Sequence, residues 1–261
     1  MTGQETRYDR IAEGYATYWS PVHRAATLRL LDEVAEQLDP GDAGRARIVD
    51  VGCGTGAMAV AAATRWPGVE VEAVDLSRGM LALAARTAAE AGPAGRRIHL
   101  TQAPADRLPF PDQSFDVALS AFVLQLVPSR ARALREMRRV LRPGGRLAYV
   151  GWLEGELPFA ADAAWEEALD AAGVERESGG GHDDLASPEG AAAQLRAAGL
   201  SSVTARADHL VHQFTPEGYA AFVTQVDDGD LMLGLEPEQR EAIAADLLGR
   251  LRSLSPADLR L

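Results

Sequence analysis

The amino-acid sequence predicts an α/β fold, in which a doubly wound, mostly parallel sheet is covered by helices on both faces. Short apolar strand candidates alternate with helical stretches between residues 47 and 152, which is typical of successive βαβ units. A glycine-rich turn follows the first strand candidate and precedes a helix. The 261 residues are sufficient to bury a sizeable core.

The N-terminal segment, Arg7–Leu38, is predicted to be helical. Its leucine and valine side chains between Leu28 and Leu38 recur at intervals of three and four residues, which places them on one helical face. Pro40-Gly41-Asp42 is then expected to end the helical region, because proline and glycine interrupt regular structure.

Five strand candidates follow, and helices separate most of them. The strands are predicted at Arg47–Val51, Val69–Asp75, Ile98–Gln102, Phe115–Ala121 and Arg146–Trp152. The intervening helices are predicted at Met58–Arg65, Met80–Ala91 and Ser129–Leu141. Ser129 can cap the last of these helices, and Pro143-Gly144-Gly145 is expected to end it.

The last third of the chain is predicted to be mainly helical. Helices are expected at Phe159–Ala172, from Ser187-Pro188-Glu189 to Gly199, from Thr215-Pro216-Glu217 onward, and at Pro237–Leu251. Val203–Phe214 is expected to be a long strand, and Ser178–Asp184 is predicted to be a flexible polar loop.

Composition and charge exclude several classes of function. All 26 basic residues are arginine, so lysine Schiff-base chemistry and a P-loop lysine are impossible. The net charge of −12 repels nucleic acid and anionic membranes. The single cysteine, Cys53, excludes an intramolecular disulfide and a cysteine-rich zinc site, and no metal is expected. The sequence has no membrane-spanning stretch and no recognisable secretory signal, so a cytoplasmic location is expected.

The glycine-rich turn has the pattern D-x-G-x-G-x-G, from Asp50 to Gly56. Glycines at alternate positions let the backbone turn tightly and let a nucleotide-like ligand lie against it. The dinucleotide-binding pattern G-x-G-x-x-A is also satisfied, with Asp75 where a ribose-binding acid belongs. A carboxylate at Asp50 would face a pyrophosphate unfavourably, whereas it would suit a ligand with an ammonium or sulfonium group.

At these residues the sequence resembles the class I S-adenosylmethionine-dependent methyltransferases. Further motifs of that family lie in the same order and spacing across residues 7–152, at Val71–Ser77, Leu108–Asp116 and Val140–Gly145. The resemblance is closest to the branch that acts on small molecules, which includes quinone-biosynthesis and natural-product enzymes.

The resemblance implies a Rossmann-like, seven-stranded-type sheet in one integrated domain. An N-terminal helical cap would occupy residues 1–40, the cofactor-binding core residues 41–152, and the remainder of the sheet with helical lid insertions residues 153–261. The sheet of this family usually ends in two antiparallel strands. Val203–Phe214 would be the first, and either Leu259–Leu261 begins the second or this edge of the sheet is remodelled.

The resemblance also implies which residues bind S-adenosylmethionine. Asp75 would accept hydrogen bonds from both ribose hydroxyls, and Met80 would contact adenine. Pro104 stands where the family commonly has an acid, so Ala105 or Asp106 would take over that adenine contact. The full set of implied cofactor-binding residues is Tyr8, Tyr15, Asp50, Gly52, Cys53, Gly54, Gly56, Asp75, Leu76, Met80, Ala105, Asp106 and Ser120.

Candidate catalytic residues are few, because methyl transfer needs alignment of the reacting groups and exclusion of water more than it needs a strong base. His23 and Tyr15 in the N-terminal segment are the predicted catalytic residues, with His23 as the base. His182 and Asp183 lie in the glycine-rich loop, which is either a mobile lid or simply solvated.

Two further positions follow the fourth and fifth strands, at the edge where ligands bind in open α/β sheets. Gln125 could meet the acceptor or the methionine end of the cofactor, and Trp152 could wall the substrate pocket or pack in the core. The helix Ser129–Leu141, with Leu134 and Met137 in its buried stripe, is rich in arginine. These arginines form either a solvated face or an RNA-binding patch.

The function implied is transfer of a methyl group from S-adenosylmethionine to an oxygen, nitrogen or carbon atom of a small molecule in secondary metabolism, with S-adenosylhomocysteine as product. The expected partner is the acceptor alone, without nucleic acid or membrane, and the protein would be a monomer or homodimer. Three alternatives stay open: an RNA methyltransferase, an NAD-type oxidoreductase, and a non-methylating protein that retains the cofactor site.

Overall fold

A computed structural model of the chain describes residues 3–38, 46–155, 158–176 and 184–261. These residues form two compact units. The first contains residues 3–12, 24–38, 46–154 and 184–208, and the second contains residues 13–23, 155, 158–176 and 209–261. The turn predicted at residues 40–42, and all but the last residue of the loop predicted at residues 178–184, lie outside the described residues. The division into cap, core and lid stays a prediction.

The first unit contains a five-stranded sheet in which every strand pair is parallel. The strands are β1 Arg47–Val51, β2 Glu70–Asp75, β3 Ile98–Gln102, β4 Phe115–Ala121 and β5 Leu141–Val150. Their order is β3-β2-β1-β4-β5, so the direction of winding reverses between β1 and β4. The predicted α/β, Rossmann-like fold is confirmed, whereas the described residues do not form the seven-stranded sheet that the resemblance implies.

Eleven α-helices are described. They are α1 Gly3–Gly14, α2 Ser20–Glu33, α3 Ala35–Leu38, α4 Ala57–Arg65, α5 Arg78–Glu90, α6 Arg130–Val140, α7 Ala160–Ala171, α8 Pro188–Ala197, α9 Pro216–Phe222, α10 Gly229–Leu233 and α11 Pro237–Ser253. None of these helices is long and apolar enough to cross a membrane. Wider, π-type turns occur at Tyr15–Trp19 and Val223–Asp227, so the predicted N-terminal helix is interrupted.

Side-chain caps explain where several of these helices begin. The hydroxyl groups of Ser129, Ser187 and Thr215 each accept a hydrogen bond from the amide three residues later, as predicted for helix starts. Ser77 does the same at the start of α5, where it accepts from the Met80 amide at 3.0 Å. The beginnings of these helices are therefore determined by local sequence.

Apolar cores lie on both faces of the sheet in the first unit. One joins the N-terminal helices to β1, β2 and α4 and includes Leu31 and Val34. The other packs α6 against β4 and β5, and the complete burial of Leu134 and Met137 confirms the predicted stripe. The second unit has a core of its own, built around residues that include Trp165.

Two arginines of α6 do not belong to a solvated face. Arg130 is buried, and Arg139 donates to the carboxylates of Glu136 and Asp112 at 2.8 Å and to two backbone carbonyls of the loop before β4. The prediction of a solvated arginine face is wrong at these two positions. The reason is that a guanidinium can satisfy several polar groups of a neighbouring loop at once, which periodicity alone does not reveal.

The strand predicted at Val203–Phe214 is wrong. Side chains 204–209 are all exposed, so this stretch has no buried face to stabilise strand pairing. Within the described chain, its pairing is limited to an antiparallel bridge between Gln213 and Arg260, beside which His212 and Leu261 exchange backbone hydrogen bonds of 3.0 and 2.9 Å. The expected pairing with residues 259–261 is therefore a short antiparallel contact instead of a full strand.

Candidate functional site

The turn between β1 and α4 is shaped by three glycines with positive φ. Gly52, Gly54 and Gly56 have φ values of 74°, 51° and 80°, which other residues rarely adopt. A side chain at Gly52 would also collide with Val123, because its Cβ would lie 2.2 Å from a methyl carbon of that valine. Glycine is therefore required here both for the path of the backbone and for the close approach of the segment after β4.

Asp75, the last residue of β2, lies beside this turn. The Gly54 amide donates to one carboxylate oxygen of Asp75 at 2.8 Å, and the Ser77 amide donates to the other at 2.9 Å. Burial raises the pKa of Asp75, although these two amides and that of Leu76 act in the opposite direction. Because a carboxylate oxygen can accept more than one hydrogen bond, Asp75 can still receive two hydroxyl groups.

Asp50, in β1, is completely buried. Neither of its carboxylate oxygens has a hydrogen-bond partner in the described part of the chain. Burial raises the pKa of Asp50 to about 7, the negative charge of Asp75 adds to this rise, and the Ala59 amide opposes it. A buried, unpaired carboxylate is costly, so a ligand that brings a positive charge to Asp50 would be stabilised.

These two carboxylates fit the cofactor that the resemblance implies. Asp75 offers acceptors for the two ribose hydroxyls, and Asp50 offers a negative charge to an ammonium or sulfonium group. A dinucleotide would instead place its pyrophosphate near Asp50, where like charges repel. The two carboxylates therefore favour S-adenosylmethionine over a nicotinamide dinucleotide.

Cys53, inside the turn, is buried and is not suited to act as a nucleophile. Burial raises the pKa of its thiol well above the ordinary value, and the negative charges of Asp50 and Asp75 raise it further. The reactive form of cysteine is the thiolate. Cys53 therefore contributes a small apolar side chain to the turn.

Two predicted cofactor residues lie in the segment that joins β2 to α5. Met80 is almost fully buried in the first turn of α5. The carbonyl of Leu76 accepts a hydrogen bond of 3.0 Å from the Gln102 side chain. Both residues follow Asp75 closely in the chain, and their contact with a cofactor stays a prediction.

Three other predicted cofactor residues differ in their burial and in the partners of their side chains. Ala105 is buried, and the Asp106 carboxylate lies 3.7 Å from the guanidinium of Arg132. Ser120 is fully buried in β4, and its hydroxyl donates to the carbonyl of Val51 at 2.9 Å. The donor of Ser120 is therefore used to tie β4 to β1, and the cofactor role of all three residues stays a prediction.

Asp9 in α1 is a residue that the sequence reasoning missed. Its carboxylate accepts hydrogen bonds from the Ser77 hydroxyl at 2.6 Å and the Gly79 amide at 2.9 Å. The Ser77 hydroxyl and the Gly79 amide hold the pKa of Asp9 below its ordinary value. Since the Ser77 amide also holds Asp75, α1 is connected through Ser77 to the predicted ribose-binding carboxylate.

The packing around Gly79 shows how closely α1 approaches α5. A Cβ at Gly79 would lie 3.0 Å from the Asp9 carbonyl oxygen and 3.1 Å from its Cα. An acid at the N-terminus of α5 also suits the partial positive charge of a helix start. The motif Tyr8-Asp9 gave no indication of this contact, because its partners lie about 70 residues away in sequence.

Replacing Asp9 with alanine is expected to lower the free energy of unfolding by about 1–2 kcal/mol, because two hydrogen-bond donors of the α5 start lose their acceptor. The affinity for S-adenosylhomocysteine should fall severalfold as well, since Ser77 then holds Asp75 less firmly. Urea unfolding and calorimetric titration measure the two effects. Asp9→Asn retains an acceptor oxygen and is the matched control. Equal behaviour of Asp9→Ala and the wild type would contradict the coupling.

The tyrosine and histidine candidates divide between the two units. Tyr8 belongs to the first unit, whereas Tyr15 and His23 belong to the second. The Tyr15 hydroxyl lies 3.3 Å from Nδ1 of His23, and Trp19 stacks on the imidazole with ring centroids 4.5 Å apart. Burial lowers the pKa of His23 to about 3, so the imidazole is neutral at pH 7. The catalytic role of Tyr15 and His23 stays a prediction.

The remaining sequence candidates are placed as follows. Gln125 follows β4 and is buried, and Trp152 follows β5, so both lie at the carboxyl edge of the sheet as predicted. His182 and Asp183 lie outside the described residues. The described residues contain no cluster of three or more histidine, cysteine, aspartate or glutamate side chains that could hold a metal ion.

Comparisons with known proteins agree with this site. Residues 48–145 match a family described as a methyltransferase domain. The 27-O-demethylrifamycin SV methyltransferase of Amycolatopsis mediterranei is 35% identical over 197 residues, which are 76% of this chain and 68% of that enzyme. The ubiquinone/menaquinone biosynthesis C-methyltransferase UbiE of Syntrophotalea carbinolica is 37% identical over 165 residues, which are 61% of this chain.

The similarity to the quinone-biosynthesis enzymes covers part of their length. The chain spans 66% of the UbiE of Syntrophotalea carbinolica, and 39% and 43% of two further UbiE enzymes. Among solved structures, the [4+2]-cyclase SpnF superposes with a TM-score of 0.59 and 26% identity, over 98% of this chain and 92% of that one. With the glycine turn, Asp50 and Asp75 arranged as described, the chain belongs to the class I S-adenosylmethionine-dependent methyltransferases.

Proposed function

We propose that this protein transfers a methyl group from S-adenosylmethionine to an oxygen or carbon atom of a small molecule such as a quinone precursor or an aromatic natural product. Two relatives support the proposal: a 27-O-demethylrifamycin SV methyltransferase, and a C-methyltransferase of ubiquinone and menaquinone biosynthesis. The observation that carries it is the pair of carboxylates beside the glycine turn, of which Asp50 is completely buried and Asp75 is partly buried.

The protein's own contribution is to bind, to orient and to exclude water. When bound, S-adenosylmethionine supplies an electrophilic methyl group on a sulfonium centre. Asp75 holds the ribose hydroxyls, while Asp50 offers its charge to the cationic part of the same molecule. The complete burial of Asp50 and the partial burial of Asp75 strengthen these interactions, because the effective dielectric constant is lower there than in water.

We also propose a role for the helices after residue 153, a cellular location and an oligomeric state. The helices after residue 153 would serve acceptor binding, and the protein would work in the cytoplasm as a monomer or homodimer without nucleic acid. The net charge of −12 and the pairing of Arg139 with acidic side chains support the last point, since an RNA-binding face needs unneutralised basic charge.

Ligand-dependent thermal stability tests the cofactor. S-adenosylhomocysteine at about 100 times its dissociation constant should stabilise the protein by about 2.7 kcal/mol. For a chain of this length, that corresponds to a rise of roughly 5–10 °C in the melting midpoint. NAD at the same concentration is the matched control and should produce no rise. A rise with NAD alone would contradict the proposal.

A second candidate function is cyclisation without methyl transfer, because the likeness to the cyclase SpnF extends over 98% of the chain. S-adenosylmethionine with an isotopically labelled methyl group distinguishes the two. Methyl transfer places the label on the acceptor and releases S-adenosylhomocysteine in equal amount. A product that carries no label, formed while the cofactor is unchanged, would favour the cyclase function.

A further inference from the structure

We propose that Gln125 determines acceptor specificity by hydrogen-bonding an oxygen atom of an uncharged, planar aromatic or quinone-type acceptor. This inference rests on the proposed function, because it names the substrate class of that same site. It is carried by an amide without a hydrogen-bond partner in the described chain, by an aromatic pair, and by the place of both at the carboxyl edge of the sheet.

The carboxamide of Gln125 forms no hydrogen bond with the described part of the chain, although little of the residue is exposed. The residue is only 8% exposed, and no described residue forms a hydrogen bond with its side chain. A carboxamide carries two N–H donors and one acceptor oxygen. The amide nitrogen and oxygen of Gln125 are not among the described polar atoms that are completely shielded from solvent, so a ligand that enters from solvent can reach them. A ligand that supplies the missing hydrogen bond would therefore be favoured at this position.

The surroundings of Gln125 connect it to the cofactor turn. The loop that carries it packs on this turn through Val123, whose methyl group occupies the space that a side chain at Gly52 would need. The amide oxygen of Gln125 lies 3.4 Å from the position that a Cβ at Gly151 would take. Glycine after β5 therefore leaves room in front of the amide, at the edge where ligands of open α/β sheets bind.

An aromatic pair stands at the same edge. The rings of Phe122 and Trp152 lie with centroids 5.0 Å apart at an interplanar angle of 44°. Phe122 has a φ of 57°, which is uncommon for a bulky residue, and its amide donates to the carbonyl of Val150 at 2.8 Å. Strained residues of this kind cluster at binding sites. The two rings offer a flat apolar surface against which a planar acceptor can pack.

The charge of the side chains at this edge of the sheet indicates the class of acceptor. Phe122, Gln125, Trp152 and Leu185 lie around the ends of β4 and β5 and are all uncharged. The buried guanidinium of Arg130 lies next to this group, where it donates to the Leu124 carbonyl and to the Gln194 side chain. A charged acceptor buried there would need a counter-charge, whereas an amide suffices for a carbonyl or a neutral hydroxyl. Glutamine does not titrate, so Gln125 positions the acceptor and takes no proton from it.

Binding of 1-naphthol and naphthalene to the protein saturated with S-adenosylhomocysteine tests the inference. The two probes share a ring system and differ by one hydroxyl group. Gln125→Leu should weaken 1-naphthol binding about tenfold and leave naphthalene binding within about twofold, as loss of one hydrogen bond requires. Gln37→Leu makes the same chemical change at an exposed position and should bind both probes like the wild type. Titrations followed by ligand-observed NMR measure the affinities.

A second variant places a methyl group in front of the amide. Gly151→Ala should also weaken 1-naphthol more than naphthalene. Equal losses for both probes in Gln125→Leu would indicate packing only and overturn the inference. Unchanged 1-naphthol binding in Gln125→Leu would also overturn the inference. So would the absence of saturable 1-naphthol binding to the wild type. Affinity for S-adenosylhomocysteine is recorded in every protein, because failure of the proposed function would abolish it in the wild type, whereas failure of this inference would not.

Discussion

Replacing Asp75 with alanine is expected to abolish binding of S-adenosylhomocysteine while the protein remains folded. The variant loses the acceptors for two ribose hydroxyls in a buried site, and hydrogen bonds to a charged group are worth about 1.5–3 kcal/mol each. The affinity should therefore fall by roughly two to four orders of magnitude. Calorimetric titration measures the affinity, and circular dichroism with a thermal melt verifies the fold.

Two further variants define how the Asp75 result is interpreted. Asp75→Asn keeps an acceptor oxygen for only one of the Gly54 and Ser77 amides, because these amides donate to different oxygens of Asp75. Its thermal melt, compared with that of Asp75→Ala, therefore shows how much the turn's hydrogen bonds contribute to stability. Glu90→Ala removes an exposed carboxylate from the end of α5 and should bind like the wild type. If Asp75→Ala binds S-adenosylhomocysteine with unchanged affinity, the assigned site is wrong.

The stability of the ligand-free protein should fall as the pH rises from about 4 to 7, because the pKa of Asp50 is higher in the folded protein than in the unfolded chain. Its pKa is about 7 in the folded protein and 3.8 ordinarily. Between these values the folded state holds a proton that the unfolded state releases, so each pH unit costs about 1.4 kcal/mol of folding free energy. The loss approaches about 4 kcal/mol and levels off above pH 7, where the carboxylate is ionised in both states.

The Asp50→Asn variant isolates this effect. It carries no titrating proton, so the stability of wild type minus variant should decrease between about pH 4 and pH 7 and then stay constant. Urea unfolding at several pH values measures the difference. Saturation with S-adenosylhomocysteine, whose ammonium group can pair with Asp50, should flatten the decrease. Glu90→Gln is the exposed control. A difference that does not vary with pH would contradict the assignment of a buried, unpaired carboxylate.

The positions of most strands along the chain could be predicted from sequence, because they depend on local patterns. Strands β1, β3 and β4 have the bounds expected from their apolar runs. β5 begins at Leu141 and not at Arg146, since Leu141 already pairs with Phe115 across an irregularity in the ladder. Such a pairing depends on the neighbouring strand and is not visible in the strand's own residues.

Some residues of the candidate site could likewise be predicted from sequence, and others could not. The glycine turn and Asp75 were recognised from spacing, because a left-handed backbone needs glycine and a ribose needs an acid. Asp9 was missed, since its partners Ser77 and Gly79 are far from it in the chain. No short pattern distinguishes an acid on a helix surface from one that caps another helix.

The sequence by itself determined the order of strands and helices from Arg47 to Val150, the helix starts at Ser129, Ser187 and Thr215, and the turn that begins at Gly52. Only the tertiary structure decided which polar groups are buried without partners in the described chain, among them the carboxylate of Asp50. The physical reason is that turns and caps satisfy backbone requirements within a few residues. Burial and loss of hydrogen-bond partners depend instead on segments that meet only when the chain has folded.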